Sequence, residues 1–102
     1  MINIMLACGA GMSTSLLVTK MKKVAEEQNI EANIWAISIS KIENEIDNCD
    51  CVLIGPQVRY MFDEINKLAT LHGKKSMVIN MIDYGTMNGK NVLNSALELL
   101  NK

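Results

Sequence analysis

Hydrophobic positions along the chain follow two alternating rhythms. Near-continuous apolar runs of strand length occupy Ile2 to Ala7, Ala32 to Ile37, Cys51 to Ile54 and Met77 to Ile82. Runs without polar alternation mark strands covered on both faces, as in a parallel sheet. Between them the spacing turns helical. Leu17, Met21, Val24 and Gln28 fall on one stripe, with Leu16 and Ala25 beside it and Lys20, Lys22, Lys23, Glu26 and Glu27 mostly outside. A second, short helix opens with Ser40-Lys41-Ile42-Glu43, a capping-box spacing that turns Ile42 and Ile46 inward. A third carries Val58, Met61, Phe62, Ile65, Leu68 and Ala69 and ends near Gly73, and a fourth presents Val92, Leu93, Ala96, Leu97 and Leu100.

The predicted order is β-α-β-α-β-α-β-α. Alternating elements of this length specify an α/β fold, an open four-stranded parallel sheet with helices on both faces and right-handed crossovers. Ligands of such sheets bind beyond the carboxyl ends of the strands, where the strand order reverses. The first strand lies in the middle of most small doubly wound folds, so the loop that follows it is where chemistry is expected.

Composition narrows the functions open to this fold. The 102 residues are expected to form one domain over 1–102, with 49% apolar and 21% charged residues, a globular balance. Ten basic against eleven acidic side chains leave a net charge of -1, which argues against a nucleic-acid partner. No apolar run approaches the roughly 20 residues of a membrane span. The leading Met1-Ile2-Asn3-Ile4-Met5-Leu6 lacks the basic start of a signal peptide and reads as structure. Three cysteines fit neither a disulfide framework nor a metal site, so a reduced, cytosolic protein without metal or organic cofactor is expected. One of the three is then a candidate reactive thiol.

The loop after the first strand reads Cys8-Gly9-Ala10-Gly11-Met12-Ser13-Thr14-Ser15. Glycines let the backbone curl with several N–H groups pointing inward, and a helix N-terminus adds unpaired donors and the positive end of its dipole. Ser13, Thr14 and Ser15 have hydroxyls that cap the helix and donate to phosphate oxygens. A thiol facing such a cradle is expected to ionise near neutral pH and to attack phosphorus, the same donors then holding the phosphoryl oxygens. Tight packing around a buried cysteine accounts for the bare spacing equally well. Two nucleotide motifs are excluded: there is no Gly-Lys-Ser/Thr, and Gly9 and Gly11 lack a third glycine at dinucleotide-binding spacing.

The string from Cys8 to Leu17 resembles the phosphorylation loop of the enzyme IIB components of the bacterial sugar phosphotransferase system, lactose/cellobiose (diacetylchitobiose) family. Gly55-Pro56-Gln57 with Tyr60-Met61, and Ile82-Asp83 with Tyr84-Gly85, are also similar to that family, so the resemblance covers nearly the whole chain. It implies a relay. Cys8 would take a phosphoryl group from a phosphohistidine of the IIA protein and pass it to a sugar of the cellobiose, lactose or chitobiose class bound to the membrane protein IIC. Gly9, Ala10, Gly11, Met12, Ser13, Thr14 and Ser15 would form the phosphate cradle.

The loop also resembles that of low-molecular-weight tyrosine phosphatases, which share the expected fold and carry an arginine six positions after the cysteine and a serine seven after. Here those positions are Thr14 and Ser15. Loss of such a charged donor costs on the order of 3–4 kcal/mol in the transition state, by analogy with an oxyanion donor. A carrier has no use for fast hydrolysis. A stand-alone cysteine phosphatase is therefore the alternative reading, and a non-enzymatic anion-sensing domain a third.

Further residues enter as a rim. If the third strand neighbours the first, Gln57, Arg59 or Tyr60 would line the approach to Cys8, against the plainer reading of Arg59 as a solvated first-turn cation. Asp83, taken to end the fourth strand, is either a carboxyl group near the loop or a turn residue. Cys49 and Cys51 are expected on opposite faces of the third strand, in packing roles. His72 reads as a charge at a helix C-terminus, and Met12 as either a plug for the loop or a partner contact.

Overall fold

The computed structural model describes residues 1–9 and 12–101; Ala10, Gly11, Lys102 and the side chains of Met12 and Ser13 lie outside the described residues. Four parallel strands, β1 (Ile2–Cys8), β2 (Ala32–Ser38), β3 (Cys51–Ile54) and β4 (Lys75–Val78), form one sheet in the order β2-β1-β3-β4. Helix α1 (Met12–Glu27) connects β1 to β2. Helix α2 (Ile42–Glu45), flanked by 3-10 turns at Ile39–Lys41 and Ile46–Asn48, connects β2 to β3. Helix α3 (Phe62–Leu71) follows β3 after a 3-10 segment at Pro56–Met61, and α4 (Met81–Gly85) and α5 (Gly89–Leu99) follow β4.

Alternation along β1 divides the core. Ile4 and Leu6 point to one face, where they meet Leu17 and Met21 of α1, Tyr84 of α4 and Val92, Leu93 and Ala96 of α5. Met5 and Ala7 point to the other, against Ile42, Ile46, Ile65 and Ala69. All four β1 residues are fully buried, which is why the run reads as apolar without alternation. The α1–α5 contact is close enough to require a glycine: a Cβ on Gly89 would lie 2.7 Å from the Lys20 carbonyl carbon.

Three local expectations are corrected. The fourth strand covers Lys75–Val78, not Met77 to Ile82, because the Asn80 side chain accepts from the Ile82 and Asp83 N–H groups and starts the extra helix α4. Asp83 therefore sits inside α4 and does not end a strand. The capping box at Ser40 does not form. Its hydroxyl pairs with that of Ser38 at 3.1 Å, and no side chain caps α2, although Ile42 and Ile46 are buried as expected. The third helix begins as a 3-10 segment with Pro56 in its first turn, and Val58 departs from helical geometry (φ -114°, ψ 22°). Pro56 lacks a donor and has a fixed φ, so it is well placed at that start.

Among the described residues, no helix is long and apolar enough to cross a membrane, and no group of three His, Cys, Asp or Glu is placed to hold a metal.

Candidate functional site

With β1 flanked by β2 and β3, the connection from β1 leaves to one side and the chain crosses back over β1 to reach β3. The strand order thus reverses between the carboxyl ends of β1 and β3, and the crevice opens there. Cys8 is the last residue of β1 and occupies that point. It is 4% exposed, and its Sγ lies 3.4 Å from Oγ1 of Thr14, which is fully buried in the first turn of α1. A thiol against a hydroxyl at a helix start sits where the helix dipole favours negative charge.

The surroundings of Cys8 come from three elements. The β1–β3 ladder continues past Ile54, with Gly55 N–H donating to the Ala7 carbonyl at 2.9 Å. A Cβ on Gly55 would lie 3.2 Å from Cys8 Cβ and 3.2 Å from Gln57 Oε1, so the missing side chain lets the turn pack against the cysteine and leaves room for the Gln57 amide beside it. Gly9 borders Val58, whose Cγ1 is 3.9 Å from where its Cβ would stand. On the β2 side, Ser38, in register with Cys8, donates through Oγ to the Gly9 carbonyl at 3.3 Å. Sequence reasoning missed Ser38. Its signal was positional: the end of β2 must lie beside the end of β1 in a parallel pair.

The remaining candidates separate. Ala10 and Gly11 and the side chains of Met12 and Ser13 lie outside the described residues. Ser15 belongs to the first turn of α1, and its carbonyl accepts from the Thr19 hydroxyl at 3.2 Å. Gln57 is exposed and beside Gly55, whereas Arg59 folds back, its Nη1 donating to the Pro56 carbonyl at 3.2 Å. Tyr60 is 78% exposed. The Asp83 carboxylate accepts from Asn91 Nδ2 at 3.0 Å, which ties it to the first turn of α5.

The other cysteines occupy the opposite end of the sheet. Residues two apart in an unbroken strand share a face. Here Asp50 bends ahead of β3, so Cys49 joins the core under α3 and Cys51 the core under α1 and α5. Burial pushes the Cys49 thiol up to about 11 and the Cys51 thiol up to about 12. His72 ends α3, and its Nδ1 lies 2.8 Å from Asp47 Oδ1.

Residues 3–95 match the family described as PTS system, Lactose/Cellobiose specific IIB subunit. The chain belongs to this family. The oligo-beta-mannoside-specific EIIB component of the phosphotransferase system of Bacillus subtilis (strain 168) is 44% identical over 97 residues, 95% of this chain and 94% of that protein. The solution structure of the cellobiose-specific phosphotransferase IIB component protein from Borrelia burgdorferi superimposes with a TM-score of 0.81 at 43% identity, covering 98% of this chain and 92% of that one. Two more distant structures share the fold alone. The lactose-specific IIB component domain from Streptococcus pneumoniae has a TM-score of 0.87 at 15% identity, with 96% of each chain covered. A YwlE mutant from Bacillus subtilis has a TM-score of 0.61 at 10% identity, with 100% of each covered. The fold class expected from the sequence, its likeness to low-molecular-weight phosphatases included, is the one observed. As a IIB component the protein is a phosphotransferase that carries a phosphoryl group, one of a set that works with IIA and IIC partners.

Proposed function

We propose that Cys8 is the phosphoryl acceptor of this IIB component and that the segment from Gly9 to Ser15 cradles the group. In the first step the Cys8 thiolate attacks the phosphorus of a phosphohistidine on IIA. The S–P bond forms, the N–P bond breaks, and the imidazole leaves with the bonding pair. In the second, a hydroxyl oxygen of a sugar held by IIC attacks the same phosphorus. The O–P bond forms, the thiolate departs with the S–P pair, and the hydroxyl proton passes to a base on the acceptor side. Both transfers take place on the cytoplasmic side, within one domain over 1–102 that needs no metal or cofactor.

The observation that carries this reading is the position of the Cys8 sulfur: the carboxyl end of the central strand, at the strand-order reversal, against the hydroxyl of Thr14 at 3.4 Å. The sugar is of the cellobiose, lactose or chitobiose class, a reading supported by relatives named as specific for cellobiose and oligo-beta-mannoside, beside one named as galactose-specific. A stand-alone phosphatase is not favoured, because Thr14 puts no guanidinium beside the sulfur and the relatives above 40% identity are IIB components. Incubation with phosphorylated IIA should add one phosphoryl group to the intact mass of the wild type and none to Cys8→Ser. A variant that still gained a transferable phosphoryl group would overturn the assignment.

A further inference from the structure

We infer that Thr14 is a positioning residue for phosphoryl transfer: its buried hydroxyl fixes the Cys8 sulfur in place and donates to it once the thiol has lost its proton. The inference rests on the reading of Cys8 as phosphoryl acceptor and adds what holds that acceptor in its attacking form.

Three observations carry it. First, Thr14 is fully buried and Cys8 is 4% exposed, so water does not compete for the 3.4 Å contact between their oxygen and sulfur atoms. In the neutral pair either group can donate. In the ionised pair sulfur has no hydrogen, so only the hydroxyl can, and the bond then favours the charged form. Second, threonine is branched at Cβ. In a helix its χ1 angle is restricted to two main settings, and burial of the methyl group leaves the hydroxyl little freedom to swing away from sulfur. Third, the partners sit on separate rigid elements, Cys8 closing β1 and Thr14 in the first turn of α1, which packs on the β1 face through Leu17 and Met21. The contact therefore ties the sulfur to the first turn of α1, the end at which a helix dipole favours negative charge.

The pH dependence of iodoacetamide alkylation of the folded protein tests this without any phosphoryl donor. The Cys49 and Cys51 thiols are pushed up to about 11 and about 12 and so stay neutral near neutral pH, and peptide mass mapping of the alkyl group assigns each modification to its cysteine. Thr14→Val keeps shape and removes the hydroxyl. Its alkylation midpoint is expected to rise by about one pH unit, with transfer from phosphorylated IIA near neutral pH falling roughly tenfold. Thr14→Ser, which restores a hydroxyl at that site, is expected to recover most of both. Should Thr14→Val fold poorly, Thr14→Ala against Thr14→Ser makes the same comparison. A midpoint that Thr14→Val or Thr14→Ala leaves unmoved, or that Thr14→Ser shifts as far, would overturn the inference while leaving Cys8 as acceptor. A wild type that takes up no phosphoryl group would remove the parent reading whatever the midpoint does.

Discussion

The two ends of the sheet each hold cysteine, and the thiols differ in what surrounds them. At the carboxyl end, Cys8 meets a buried hydroxyl, a glycine turn and the start of a 16-residue helix. At the amino end, Cys51 lies in a core of Ile4, Leu53, Leu93 and Ala96, and Cys49 in the opposite one, its Sγ donating to the Ile46 carbonyl at 3.3 Å. All three residues are buried, so burial alone does not select the reactive one. Aliphatic surroundings keep a thiol neutral, whereas a hydroxyl beside the sulfur is able to donate to a thiolate, the form proposed for Cys8. Strand direction distributes these environments, because only the carboxyl ends of parallel strands face the starts of the helices that follow them.

The sharpest way to break this contrast is to exchange the element at one end only. Cys8→Ser should abolish acceptance of a phosphoryl group on sulfur, while loss of Cys49 and Cys51 together, as alanines, should leave transfer intact; intact mass after incubation with phosphorylated IIA reads both. Next in size is Gly55→Ala. Its Cβ would press at 3.2 Å on Cys8 Cβ and on Gln57 Oε1, and the resulting displacement of the sulfur should slow transfer roughly tenfold in single-turnover kinetics.

At the amino end the expected effect is on stability. The folded thiols of Cys49 and Cys51 titrate at about 11 and about 12, above their ordinary 9.0. Between these values the unfolded chain releases protons that the native state keeps, so stability is fully present below pH 9 and falls as pH rises through that window. Melting temperature against pH should show this decline, and Cys51→Ala should flatten it. The smallest effect is expected for Arg59→Ala, whose guanidinium is turned back onto the Pro56 carbonyl. Transfer should fall by about twofold or less, as for other exposed charges, and a tenfold loss would bring Arg59 into the site.

Sequence pattern carried most of the architecture, because near-continuous apolar runs and helical stripes are imposed directly by burial on two faces. It carried the position of the strand-order reversal as well, and with it the place of Cys8, the proposed acceptor, at the end of the first strand. It failed where short-range hydrogen bonds compete with hydrophobic period. Met81 and Ile82 look like the end of a strand, yet they are 60% and 74% exposed, because Asn80 captures two N–H groups and starts a helix. Ser40 has the spacing of a cap, yet its hydroxyl is used by Ser38. Ser38 at the end of β2 and Gly55 just after β3 border Cys8; the first was overlooked and the second read only as part of a motif, because their proximity to the cysteine depends on register. Thr14 was legible as a hydroxyl in the loop; that it touches sulfur was not.

Residue-level mapping of the phosphoryl group bears most directly on the account. After phosphorylation by IIA, fragmentation under conditions that preserve the S–P bond should find the added mass on Cys8, with none on Cys49, Cys51 or His72. A phosphoryl group mapped to His72 or to either amino-end cysteine, with Cys8 unmodified, would contradict it.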